Sequence, residues 1–98
     1  MTVTIAWWDL TGSGVTIEAL ERDVRNSIDA WCEVEGLHVK LWIADRENGR
    51  WGAVMWWAPG VPPDQPLPPN RAAELIGRPP ICRAQFDVVA TAEGKALT

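Results

Sequence analysis

A chain of 98 residues, 47% hydrophobic and 22% charged, is sized for one domain with a single core, and a second folded domain within it is not expected. Its net charge of −4 argues against a binder of phosphate backbones, which gathers Lys and Arg on one face. No stretch reaches the roughly 18 apolar residues of a membrane span, and no basic segment followed by an apolar run opens the chain, so a cytoplasmic protein without nucleic-acid or membrane partners is expected.

In chain order, Thr2 to Leu10 reads as a strand, with Val3, Ile5 and Trp7 on one side and Thr4, Ala6 and Trp8 on the other. Gly12-Ser13-Gly14 ends it. Thr16 can cap a helix that carries Glu18 in its first turn, where a carboxylate suits the helix dipole. Leu20, Val24, Ile28 and Trp31 recur at steps of four, four and three, one apolar stripe of a single helix that Gly36 stops.

Leu37 to Ala44 and Arg50 to Ala58 read as a hairpin. Asn48-Gly49 is a strong signal for a two-residue type I′ turn, and that turn sets a register in which Glu47 faces Arg50, Ile43 faces Val54, Trp42 faces Met55, Leu41 faces Trp56 and Lys40 faces Trp57. Trp51, opposite Arg46, then falls at the rim. Six prolines between Pro59 and Pro69 require an extended loop. Asn70 can cap a short helix from Arg71 to Ile76 that Gly77 closes, Ile81 to Ala90 reads as a last strand, and Thr91 to Thr98 as a frayed tail. The order is the α+β, ferredoxin-like βαββαβ pattern with a four-stranded antiparallel sheet.

Seven Trp with one Phe and no Tyr leave aromatic burial to indoles, whose N–H edges need polar partners. Adjacent strand residues face opposite ways, so the doublets Trp7-Trp8 and Trp56-Trp57 give each sheet face an indole. One face of the hairpin holds Leu37, Val39, Leu41, Ile43, Val54 and Trp56 and reads as plain core. The other holds His38, Lys40, Trp42, Ala44, Ala53, Met55 and Trp57, a mixture suited to cation–π and sulfur–aromatic contacts. The pattern leaves open which side turns to the helices. One helical layer covers one face, so a homodimer is expected to cover the other.

Gly36-Leu37-His38-Val39-Lys40-Leu41-Trp42, followed by a charged turn, a Gly-containing strand and Phe86-Asp87-Val88, resembles the YdhR-type monooxygenase family of the dimeric α/β-barrel superfamily. The resemblance runs from roughly Leu20 to Ala90. It implies a homodimer whose two sheets form a barrel, a pocket in each subunit, and oxygenation of small aromatic or polyketide substrates without metal or flavin. Gly36, Lys40, Trp42, Phe86 and Asp87 match the family and read as scaffold. The Pro59–Pro69 loop replaces most of a family helix, and His38 stands where relatives carry an apolar residue.

Cofactor-free oxygenation needs a base, a cation or donor beside the developing anion, and walls that exclude water. His38 and Lys40 are the catalytic candidates, and Trp7, Trp42, Met55 and Trp57 are the candidates for substrate binding. No cofactor and no metal are expected: a single His excludes multi-histidine centres, and GSG at Gly12 to Gly14 lacks the spacing and Lys of a phosphate loop. Ser13, Ser27 and Cys82 lack the context of a nucleophile. Cys32 and Cys82 read as buried, reduced thiols, Asp23 and Asp29 as solvated carboxylates, and Asp87 as half of a rim ion pair. The alternative is a non-catalytic homodimeric small-ligand-binding or stress-associated protein, with the Trp-bearing face filled by the partner subunit.

Overall fold

The computed structural model describes residues 1–97; Thr98, the end of the expected tail, lies outside them. The elements are β1 (Thr2–Asp9), α1 (Ile17–Val24), α2 (Ile28–Cys32), β2 (Leu37–Asp45), β3 (Arg50–Trp57), α3 (Arg71–Ile76) and β4 (Cys82–Asp87). The sheet runs β2-β3-β1-β4 with every neighbouring pair antiparallel, an α+β arrangement compatible with a ferredoxin-like fold. No helix among the described residues is long and apolar enough to cross a membrane.

The caps form where the residue types place them. Thr16 accepts from Ala19 N–H and Asn70 from Ala73 N–H, while Gly77 closes α3 at a φ of 76°. The expected single helix is instead broken. Asn26 N–H reaches Asp23 C=O and Ser27 N–H reaches Val24 C=O, both three residues back. Asn and Ser favour such local turns over continued helix. The break resets the stripe, so Ile28 is exposed while Trp31 remains buried.

The hairpin register differs from the expected one by two residues. Asp45 pairs with Arg50, Ile43 with Gly52, Trp42 with Ala53, Leu41 with Val54 and Lys40 with Met55. The Asp45 carboxylate is the cause. It accepts from Asn48 N–H at 3.1 Å and from Asn48 Nδ2 at 2.8 Å, which lowers its pKa and keeps Asn48 out of positive φ. Only Gly49, at a φ of 63°, takes the left-handed conformation, so the loop has four residues instead of two. A slip of one residue would exchange the faces, whereas a slip of two preserves them. The faces therefore hold up to a bulge between Leu37 and Val39, which puts both His38 and Val39 opposite Trp56.

The helices lie on the chemically mixed face. Trp8 and Trp51, paired across β1 and β3, form the core with Leu10, Ile17, Leu20 and Ile76, and Val24, Trp42, Ala72 and Ala73 pack against it. Trp51 is thus a core residue: with Ala44 as its β2 neighbour, it faces α1 and not the rim. The indole N–H of Trp8 donates to Arg78 C=O at 2.9 Å, the polar partner a buried indole needs. The aliphatic set read as core lies on the bare face except for Leu37, which the bulge leaves opposite Trp57 on the covered side. Val39 is 39% exposed, Leu41 52%, Ile43 41% and Phe86 58%, with Val3, Ile5, Val54 and Trp56 half-buried between them.

Candidate functional site

Small side chains at the centre of the sheet create a cavity. Ala6 and Ala53 are paired in register, with Trp42 beyond Ala53 on β2. Methyl groups there leave space that the surrounding indoles do not fill. The cavity holds about 170 Å³; Trp8, Trp42, Trp51 and Met55 border it from the sheet, Leu20, Val24 and Trp31 from the helices, and Leu67, Pro68 and Pro69 from the Pro-rich loop. At the rim, Arg71 makes an ion pair with Asp23 at 3.0 Å and another with Glu74 at 2.8 Å. These contacts raise the pKa of Arg71, the Asp23 bond most of all. Asp23 is accordingly paired at the rim, not free in solvent.

Lys40 reaches this cavity from the edge strand β2. Its Nζ lies 3.4 Å from the ring centroid of Trp31 and 4.8 Å from that of Trp42, and no carboxylate among the described residues pairs with it. Burial lowers its pKa from the usual 10.5 to about 8. Indole faces favour the ammonium, so the charged form dominates at neutral pH while a neutral amine fraction remains within reach.

Of the residues singled out by sequence, Lys40, Trp42 and Met55 come together in this cavity. His38 does not. The bulge turns it to the other side, where its ring stands 5.1 Å from that of Trp56, and its side chain is exposed. Trp7 lies on the bare face beneath Arg50, 5.2 Å from ring to guanidinium carbon, and Trp57 borders a separate groove under Pro59 to Gln65. Alternation reverses a doublet's assignments once one partner is placed: Trp8 belongs to the cavity because Trp7 does not. Cys32 is exposed and Cys82 half-buried, both free; neither has the expected full burial. Asp87 is exposed and has no ion pair among the described residues.

Sequence reasoning missed Trp8, Trp31, Trp51 and Arg71. The stripe of Leu20, Val24 and Trp31 was a signal for one wall, but nothing local announced that the mixed strand face would meet it. Among the described residues no group of three His, Cys, Asp or Glu side chains could hold a metal ion. No protein-family model matches the chain, and no curated protein matches it in sequence.

Proposed function

We propose that the chain is a cofactor-independent monooxygenase, or a related enzyme, acting on a small aromatic or polyketide-like substrate in the cavity between sheet and helices. The observation that carries this reading is one basic side chain set among indoles in a cavity of ligand size. The Lys40 amine would take a proton from an activated ring carbon, and the ammonium so formed would stay beside the enolate. The enolate passes one electron to dioxygen, and recombination forms a C–O bond. The Lys40 ammonium returns its proton to the peroxide anion, and the hydroperoxide then loses water, so that CH₂ and O₂ become C=O and H₂O with no external reductant.

The bare face supports the second half of the reading, a homodimer of YdhR type in which two sheets close into a barrel. Two copies stacked aliphatic face to aliphatic face cover Val39, Leu41, Ile43 and Phe86, and both tryptophan cavities stay outside the interface. The helix residues already packed on the Trp42 side favour this arrangement over the alternative in which the partner fills that side.

Oxygen uptake with anthrone is the test. Lys40→Met is expected to lower kcat by about 100-fold or more, the ordinary worth of a general base, and His38→Ala to stay within about twofold of wild type. Equal rates for wild type and Lys40→Met would remove Lys40 from the chemistry. Anthrone binding without oxygen uptake would make the protein a non-catalytic ligand binder.

A further inference from the structure

Arg83 reaches the same cavity from the opposite edge of the sheet. It stands on β4 in register with Ala6, hence in the row that continues through Ala53 to Trp42, and Lys40 stands one row away on β2. Three inter-strand spacings separate the two edges, about 14 Å at about 4.8 Å each. Three cations and one carboxylate line the cavity, namely Lys40, Arg71, Arg83 and Asp23, in a chain whose net charge is −4. Positive charge is gathered here against the overall balance.

The three cations are not equivalent. Arg71 is held by Asp23 and Glu74, and Lys40 lies against the rings of Trp31 and Trp42. Arg83 is exposed and has no carboxylate partner among the described residues. A guanidinium keeps its charge at every pH of interest and holds a carboxylate through two parallel hydrogen bonds. A permanent anion beside Lys40 would instead hold that side chain as ammonium and deny it the role of base.

We infer that Arg83 anchors an acidic group of the ligand, which makes the substrate class a planar aromatic acid with its carboxylate at the β4 edge and its reacting ring toward Lys40. This rests on the cavity being the functional site. A void of about 150 Å³ accepts a single benzene ring, so about 170 Å³ takes one ring while the rest of the acid extends to the mouth.

Quenching of the indole fluorescence by 2-naphthoate and by the uncharged 2-naphthalenemethanol separates the two ideas. Wild type is expected to bind naphthoate at least tenfold more tightly than the alcohol. That ratio should fall to within threefold in Arg83→Gln and recover partly in Arg83→Lys; the exposed position makes both variants safe for folding. Equal binding of both probes by wild type, or an unchanged ratio in Arg83→Gln, would overturn the acid class and leave the aromatic pocket standing. Binding of neither probe would overturn both.

Discussion

The two faces of this sheet have exchanged the roles their compositions suggest. The side turned to the helices carries Trp8, Trp42, Trp51, Lys40 and Met55, and the side left bare carries Val3, Ile5, Leu41, Ile43 and Val54. The helices explain the choice. α1 offers Ile17, Leu20 and Val24, α2 a single indole, Trp31, and α3 mainly Ala72, Ala73 and Ile76. Three short helices with one indole among them do not fill the space above a four-stranded sheet, so the sheet supplies most of the bulk, and indoles are the largest side chains available. Which face is more apolar is a different question from which face supplies bulk.

The largest expected effect tests that division. Trp51→Ala empties the centre of the covered face and should cost about 3–5 kcal/mol in denaturant unfolding, enough to unfold much of a domain this small. Leu41→Glu on the bare face should leave monomer unfolding nearly unchanged and abolish the proposed dimer in sedimentation at tens of micromolar. A wild type that sediments as a monomer would break the comparison, because the bare face would then need some other cover.

How much of this the sequence showed depends on the range of the interaction responsible. Strands, caps, the α3 helix from Arg71 to Ile76 and the Pro-rich loop follow from residues adjacent in the chain, and all were legible. The faces of β3 and of β2 from Val39 onward were legible too, since alternation has period two and the register moved by two; Leu37, before the bulge, fell on the other side. The register itself was not: it turned on whether Asn48 obeyed the Gly beside it or the Asp45 carboxylate three residues back. His38 was lost to a one-residue bulge, which no composition signals. The side that meets the helices was beyond local pattern altogether, because it depends on volumes contributed by α1, α2 and α3 together.

Gly52 and Ala53, consecutive on β3, sharpen the comparison at the smallest scale. Ala53→Leu grows into the cavity; ligand affinity should fall by at least about 100-fold, with stability within about 1 kcal/mol of wild type because the methyls enter a void. Gly52→Ala faces the other way. A β-carbon there would stand 2.5 Å from Ala6 C=O and 2.7 Å from Trp7 Cβ, so it should cost about 1–3 kcal/mol in thermal or denaturant unfolding while ligand binding persists. Loss of binding in both variants would mean that the faces communicate.

The last effect is carried by one proton and shows only at alkaline pH. Lys40 titrates near 8 in the folded protein because burial disfavours its charge, and near 10.5 when unfolded. Between those values the unfolded chain holds more protons, so stability should rise from about pH 8 toward 10.5, and the contribution is absent below 8. Lys40→Met should flatten that slope. The same group acting as base predicts kcat/KM climbing with pH to a plateau above about 8. Asp23, Arg71 and Arg83 share the cavity, but Asp23 and Arg71 are paired with each other and a guanidinium stays charged throughout. His38 borders a groove at the β2 edge with Lys40 and Trp31 but does not line the cavity, and its ring packs on Trp56, so His38→Ala should leave both profiles in place. A rate that is flat through pH 8, beside a stability that still rises, would keep Lys40 as a half-buried cation against two indoles and take the proton transfer away from it.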